Sequence, residues 1–598
     1  MKEAFLKYWP AGLTLLFGLG VWFFWAVPFA AVLSYQEQYQ LFLSTWGYFV
    51  ERLSVPGGLV DYAGEWITQW AHYPVLGGLM FALVIVLTQV LTWLICKRLG
   101  AERECYALTF IPALLLWRYL CGVDIFISFG LSFAGALGLM LAYECVSRRW
   151  VRIALLALCT PVGYWLFGPS VAVSVAYVAV REVLRGPSLA SVGLGVGLVV
   201  YYLVVVIGSS YVVAYPLDRL FAGLVYHQFP EHELGWQIAQ MVVAALLPVV
   251  IWKLAGRVKV KGLAWAAVAV VGAGGYFIVR SGILPTAMER LDYDYLVRTE
   301  QWDAIIEKAE EKSPSLQSTV SALNLALAQK GELLERMFDF YQNGVNGLLP
   351  KFSLNMVAPV MPAEVFFRLG MVNECEYYMF EAQEAMPNYK RSGRLTQRIA
   401  ECEIINGKYD LARKQLALLE KSPLYRKWAK DKLNLIKNER LVNEHPLYGQ
   451  LRRMRQNIKD VLFTEAEIDK MIGLLFLSSK ANKMAYEYLM AYEMLNADMK
   501  CFMIYFPLMR HLDYQRLPKS IQEVLIGNWR QTHGSLKDFK FPYDNYIAQN
   551  TLNYIRTYSA NHNDPRLDQP PFSCNALNFM LRGKSQTTLQ TETSGTVY

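Results

Sequence analysis

A chain of 598 residues with 54% hydrophobic content and a formal net charge of +8 is long enough for several domains, and its composition is divided rather than uniform. Nearly all the long apolar runs fall in the first ~285 residues, and the remainder has ordinary soluble composition. The basic residues of the apolar half sit in short loops between those runs, a pattern that sets membrane topology and argues against nucleic acid as a partner.

The N-terminus, MKEAFLKYWPAGLTLLFGLGVWFFWAVPFAAVL, has the basic-then-apolar order of a secretory signal. Its run from about Ala11 to Leu33 is longer than a signal core and lacks a small-x-small cleavage site, so it reads as a retained first span. Counting runs near the ~20 residues that a membrane helix needs predicts about nine spans, at 11–34, 74–96, 106–121, 123–145, 151–167, 169–182, 188–210, 237–254 and 263–281. The fifth and sixth share a Gly168-Pro169 break and could form one re-entrant pair.

Basic residues mark every second junction: Lys2 and Lys7, then Lys97, Arg98 and Arg103, then Arg148, Arg149 and Arg152, then Arg181 and Arg185, then Lys253 to Lys261. The alternation predicts a cytoplasmic N-terminus and, with an odd number of spans, a C-terminal half in the periplasm of a bacterial inner membrane. Eight spans would leave that half in the cytoplasm.

Between the first two spans lies the stretch 35–73, YQEQYQLFLSTWGYFVERLSVPGGLVDYAGEWITQWAHY. Leu41, Trp46, Phe49 and Leu53 fall near one helical face, and Leu59, Tyr62, Trp66, Ile67 and Trp70 do so beyond the Pro56-Gly57-Gly58 break. Both segments suit helices lying in the membrane interface.

After Arg280 the pattern becomes that of soluble helices. Four segments share a phrase: RTEQWDAIIEKAEEKSP, RLGMVNECEYYMFEAQEAMP, IINGKYDLARKQLALLEKSP and SSKANKMAYEYLMAYEMLNAD. They look like second helices of tetratricopeptide-type hairpins, with NLALAQKG at 324–331 as a first helix. The expected fold class is therefore all-α: a polytopic helical membrane domain at 1–284, a helical-repeat domain at 285–560, and an irregular, partly disordered tail at 561–598 ending in KSQTTLQTETSGTVY. In an oxidising compartment Cys375, Cys402, Cys501 and Cys574 form up to two disulfides or remain free buried thiols; spacing does not decide.

Glu37, where the first span leaves the membrane, is either a solvated interfacial carboxylate or a functional group, a general base or a residue that positions an acceptor. Asp124 opens the fourth span on the same side and joins it if the spans pack together. Asp61 and Glu65, one turn apart, read as the polar face of an interfacial helix. The loop YPLDRLFAGLVYHQFPEHELGW adds Asp218, Arg219, His227, Glu231, His232 and Glu233. Its HxxxxH spacing across Pro230 is no recognised metal-ligand pattern, and His227 or His232 serves equally as a proton shuttle or phosphate contact. Arg118, Arg219 and Arg280 either snorkel at the outer interface or converge on a lipid-linked phosphate through paired hydrogen bonds. The Asp292-Tyr293-Asp294 triplet imitates a metal-binding DxD, and reads as acids opening a helix. No P-loop, GxSxG, HExxH or Rossmann glycine pattern occurs.

With these residues in place, the membrane half resembles the GT-C class of glycosyltransferases in its many spans, its first outward loop with interfacial helices, and an acid, Glu37, near the end of the first span. The whole chain resembles an uncharacterised family of polytopic membrane proteins, chiefly from Bacteroidota, through QYQLF, PGGL, NLALAQKG and LGMVNE. The GT-C likeness implies transfer of a sugar or glycan from a polyprenyl-phosphate carrier to a protein or glycan acceptor outside the cytoplasm. Glu37 and Asp124 would serve catalysis, Arg118, Arg219, Arg280, His227 and His232 would bind substrate, and the helical repeats would present the acceptor. The one cofactor the likeness implies is a divalent cation, and the aspartate pair that usually stands in the first loop is lacking, which counts against metal dependence and leaves no metal ligands here. The competing expectation is a non-catalytic, membrane-anchored repeat scaffold for envelope assembly or secretion. A lipid-linked-substrate transporter is a third, without an inverted repeat in its favour.

Overall fold

A computed structural model describes residues 2–222, 234–254, 261–353, 355–386, 391–455 and 467–583. It is all-α, with 76% helix and no strand among the described residues. The chain divides into one unit of residues 1–288 with 421–424, and a second of residues 289–420 with 425–598.

The N-terminal unit comprises α1 (Lys2–Ala26), α2 (Ala30–Gln38), α3 (Trp46–Leu53), α4 (Gly58–Gln69), α5 (Pro74–Arg98), α6 (Ile111–Leu120), α7 (Ile127–Cys145), α8 (Arg149–Phe167), α9 (Val171–Arg185), α10 (Leu189–Ser209), α11 (Leu217–Ala222), α12 (Leu234–Leu254) and α13 (Lys261–Arg280). Among the described residues six helices are long and apolar enough to cross a membrane: Tyr8–Ala26, Pro74–Arg98, Ile127–Cys145, Arg149–Phe167, Leu189–Ser209 and Gly235–Lys253. A seventh is reached if Ala264–Arg280 and Pro285–Arg298 count as one bent span.

The shortfall from nine has local causes. The apolar run at 106–121 is split between a 3₁₀ segment, Arg103–Phe110, and the ten residues of α6. The run at 169–182 forms α9, only 15 residues long and largely buried, with Arg181 and Glu182 enclosed near its end. Such helices need not span lipid, because neighbouring protein satisfies their polar groups. The first run also ends early. Helix α1 stops at Ala26, and α2 restarts at Ala30 beyond Pro28, whose ring cannot continue a hydrogen-bonded helix.

Helix α5 is central to the unit and packs on α1, α6 and α7, while α9 packs on α7, α10 and α12. Buried amides and hydroxyls tie the elements together. Thr14 Oγ1 donates to Gln89 Oε1 at 3.2 Å, and Gln89 Nε2 donates to Thr109 Oγ1 at 3.1 Å. Where α7 and α9 end and α8 begins, Glu144 and Glu182 are enclosed by four arginines. Arg181 Nε lies 3.2 Å from Glu144, and Arg149 and Arg152 each lie 3.5 Å from Glu182. Arg185 contacts both carboxylates, and the Arg181 guanidinium lies 4.2 Å over the Trp252 ring.

In the C-terminal unit each shared phrase forms one helix: Trp302–Glu311, Val372–Glu384, Tyr409–Leu419 and Lys483–Leu495. From Val360–Leu369 through Val372–Glu384, Gly393–Asn406 and Tyr409–Leu419 to Arg426–Leu435, each helix packs on the next. Gly370 and Gly407, at φ 93° and 74°, end two of them in the left-handed conformation that an L side chain rarely adopts. Part of the stretch expected to be irregular is helical. Pro565–Asp568 and Ala576–Arg582 are helical, Leu567 and Leu577 are buried against Tyr554, and the Ala576 amide donates to Glu523 Oε2 at 2.9 Å. The Thr/Ser/Gln-rich end, 584–598, on which the expectation of disorder falls, lies outside the described residues. Cys375 and Cys402 are buried thiols rather than a disulfide, and burial with the adjacent Cys375 thiol holds Cys402 well above the ordinary thiol range.

A buried charge network holds the middle of this unit. Glu364 accepts from Arg394 Nη2 at 3.2 Å and from Arg398 Nη2 at 2.8 Å, and Arg394 Nη1 reaches Asp294 at 2.8 Å. Burial alone would raise the Glu364 pKa, but Arg398, Arg394 and Arg368 together pull it down to about 2. A folded-state value below the ordinary 4.5 stabilises the fold fully above that pH, and this contribution is lost as pH falls toward about 2. Glu364→Gln removes the buried anion that Arg394 and Arg398 share, leaving them Asp294 and Glu401 alone, and is expected to destabilise this unit by ~3 kcal/mol. Thermal unfolding of the detergent-solubilised chain at neutral pH checks this, and the gap to wild type should narrow as pH is lowered through that window.

Candidate functional site at the end of the first span

The stretch 35–73 is organised around a turn with no room for side chains. Gly57 adopts φ 80°, its amide donates to the Trp165 carbonyl at 2.8 Å, and Trp165 Nε1 donates to the Leu53 carbonyl at 2.9 Å. A Cβ on Gly58 would lie 1.8 Å from the Arg52 carbonyl oxygen, so PGGL is a steric requirement for folding α4 back from α3. Further along, Gly64 lets α4 approach α7, since a Cβ there would lie 2.8 Å from Ser128 Cβ.

The two helices present their faces in the reverse of a soluble arrangement. Trp46 is 77% exposed and Trp66 45%, while Asp61 and Glu65 are buried. Asp61 and Glu65 therefore sit on the polar face of α4, and that face is the buried one. An apolar outer face suits a membrane interface, and it leaves the inner face to carry the polar groups. Glu65 accepts from Arg52 Nε at 3.2 Å and from the Tyr48 hydroxyl, and Arg52 Nη2 donates to that hydroxyl at 2.9 Å. Burial, reinforced by Glu65, pushes the Tyr48 phenol far up, so it remains a donor. Burial would lower Arg52, but Glu65, Tyr48 and Asp61 outweigh it and hold the guanidinium above its ordinary value.

Glu37 occupies the last turn of α2 and is fully buried, at 0% exposure. A carboxylate at a helix C-terminus opposes the macrodipole and calls for a partner. His72 provides one, with Nδ1 4.0 Å from Glu37 Oε2 and a side chain 38% exposed. The rest of α2 is fastened to the segment before α7. The Tyr35 hydroxyl donates to Asp124 Oδ1 at 3.1 Å, and Gln36 Nε2 donates to the Val123 and Ile125 carbonyls at 3.2 and 3.0 Å. From α4, Gln69 Nε2 donates to the Gln40 carbonyl at 2.7 Å. Thus Glu37 and Asp124 belong to one polar layer, joined through Tyr35 two residues before Glu37, while Glu37 itself faces His72.

The arginines do not share one environment. Arg118 is 5% exposed, with its guanidinium 4.3 Å over the Trp236 ring, and its neighbour Tyr119 donates to Gln237 Oε1 at 3.3 Å. Gln237 in turn donates to the Ala222 carbonyl, which brings α11 to this end of the bundle. Arg219 on α11 lies 3.7 Å from the adjacent Asp218, and Arg280 is exposed at the end of α13. His227, Glu231, His232 and Glu233 lie outside the described residues. A cleft of ≈ 620 Å³ opens at the Lys97 and Arg103 end of this unit, and another of ≈ 560 Å³ in the C-terminal unit between Lys483, Glu487, Tyr514 and Arg516; Glu37 and Asp124 line neither. The Asp292-Tyr293-Asp294 triplet sits well inside the helix Pro285–Arg298 rather than at its start. Its acids are taken by Lys308 at 2.6 Å and Arg394 at 2.8 Å, so ion pairing and not the dipole accounts for it.

His72, Tyr48 and Arg52 were not among the expected site residues. A signal for Arg52 was present: it is the single Lys or Arg between Lys7 and Lys97, in a stretch with four acids, Glu37, Glu51, Asp61 and Glu65. His72 closes the same stretch, yet nothing in its spacing ties it to Glu37.

Fold and composition define an all-α protein with several membrane-spanning helices. Within that class the chain belongs to a family of unknown function (DUF6057), which it matches over residues 6–575. No curated protein and no solved structure matches it. Removing the carboxylate at the centre of the inner polar face tests the packing of the stretch. Glu65→Ala leaves Arg52 and Tyr48 buried without their acceptor and is expected to cost ~3 kcal/mol, against within ~0.5 kcal/mol for Trp66→Ala on the exposed face. Melting curves in detergent micelles separate the two, and equal midpoints would show that the inner polar face carries no such burden.

Proposed function

We propose that the chain is a GT-C-like membrane transferase that moves a sugar or glycan from a polyprenyl-phosphate carrier to an acceptor outside the cytoplasm. The observation that carries this reading is the Glu37–His72 pair: a fully buried carboxylate at the end of the first span, 4.0 Å from an imidazole that is 38% exposed. The exposed aromatic faces of α3 and α4 support it, because a lipid-linked donor approaches along the membrane interface.

The burial of Glu37 divides the labour. His72 is the group able to meet an acceptor hydroxyl and act as general base, and Glu37 behind it orients the ring and stabilises its protonated form. The acceptor hydroxyl gives its proton to His72, its oxygen bonds to the anomeric carbon, and the bond from that carbon to the carrier phosphate oxygen breaks. Arg118 or Arg280 neutralises the departing phosphate. In this reading the N-terminus is cytoplasmic, the C-terminal unit is periplasmic, and its tetratricopeptide-like helices present the acceptor.

The succession of packed helices in the C-terminal unit favours one second reading, a membrane-anchored scaffold for envelope assembly. Deletion separates the two. A transferase leaves unconsumed lipid-linked sugar in the membrane, whereas a scaffold leaves glycans unchanged while a multiprotein complex is lost. In the complemented strain His72→Ala and Glu37→Gln should each lower transfer by ~10²-fold or more at normal protein level. Wild-type transfer by a folded Glu37→Gln protein sinks the catalytic reading, and a reporter fused at Trp428 that faces the cytosol sinks the topology.

A further inference from the structure

Three successive helices of the C-terminal unit, Ile468–Ser478, Lys483–Leu495 and Met499–Tyr505, pack in series, and each brings one metal-ligating side chain to the same spot. The ligand atoms of Asp469, Glu493 and Cys501 all lie within 4.8 Å of one another. Glu493 is 1% exposed, and its Oε1 is enclosed by protein without a hydrogen-bond partner. An enclosed oxygen of this kind has given up water without replacement, which points to a ligand that completes it.

The surroundings position ligands rather than neutralise them. The Tyr505 hydroxyl donates to Asp469 Oδ2 at 2.9 Å, the outer contact that orients a carboxylate ligand. Asp498 Oδ1 accepts from the Cys501 amide at 2.9 Å and so fixes the first turn that carries the thiol. Lys470, which lies nearby, is paired with Glu467.

We propose that Asp469, Glu493 and Cys501 form a divalent-metal site and that the ion it takes is zinc. Two carboxylate oxygens with one sulfur suit a borderline ion. Calcium and magnesium prefer all-oxygen shells, and copper(I) prefers softer donors. Three protein ligands leave one position of a tetrahedron for water. Binding exchanges the Cys501 thiol proton for the ion, and the proton leaves to solvent.

The test uses the full-length chain in detergent, stripped with a chelator and titrated with zinc chloride. One equivalent of zinc is expected to bind and to protect Cys501 from maleimide, read by mass spectrometry of its peptide. Cobalt(II) in place of zinc should give a thiolate-to-metal charge-transfer band. Glu493→Gln and Cys501→Ser should abolish stoichiometric uptake, and Tyr505→Phe should weaken it by roughly 10-fold, as loss of an outer-shell partner does. No uptake by the wild type overturns the proposal, as does a cobalt band that persists in Cys501→Ser. If Glu493→Gln misfolds, Tyr505→Phe and the protection of Cys501 in the wild type still decide, since unprotected Cys501 at saturating zinc is incompatible with ligation.

Discussion

Charge buried in a membrane-embedded helical unit has to be matched by the protein itself, because lipid offers no hydrogen bonds and little water arrives. That constraint shapes both ends of the N-terminal unit. Asp124 precedes α7 and Glu144 stands near its far end, so about 28 Å of helix separates two polar layers. In one layer Glu144 and Glu182 lie among Arg149, Arg152, Arg181 and Arg185. In the other Glu65 is held by Arg52 and Tyr48, Asp124 by Tyr35, and Glu37 faces His72. Between them the linking groups are few and neutral, such as Gln89 with Thr14 and Thr109.

The two layers are solved with different currencies of charge. The Glu144 and Glu182 layer has four guanidinium groups for two carboxylates and retains an excess of positive charge, as expected of the side of a membrane protein rich in Lys and Arg. The opposite layer has carboxylates in excess and answers them with one guanidinium, phenols, amides and one imidazole. In this layer His72 gives the buried Glu37 a titratable partner with a path to solvent. The functional proposal therefore rests on this layer rather than on the richer arginine cluster.

Much of this architecture was legible in the amino-acid order, because helices and their apolar faces follow from periodicity alone. The four shared phrases of the C-terminal half all became helices, and Pro56-Gly57-Gly58 marks the turn between α3 and α4. Hydropathy misjudged the spans where a short apolar helix is covered by protein instead of lipid, as α9 is, since composition cannot tell the two surroundings apart. Partners were the least legible. Glu65 and Arg52 are 13 residues apart across a turn, and Glu37 and His72 are joined only once α2 and the end of α4 meet on the same side of α5. The short helices within 561–583 were missed for a related reason: Leu567 and Leu577 have no periodicity of their own and pack with Tyr554, and Leu577 against Gly527, only in the fold.

The C-terminal unit shows the same burden of buried acid answered in two ways. Glu364 is surrounded by Arg368, Arg394 and Arg398, and its carboxylate is consequently easier to ionise than in water. Glu493 is as deeply buried and has Asp469, Cys501 and a phenol-oriented oxygen for neighbours. A chain that supplies three guanidinium groups to one carboxylate and none to another has arranged the second for a positive charge that is not its own. The thiol at the same spot narrows that charge to an ion that accepts sulfur as readily as oxygen.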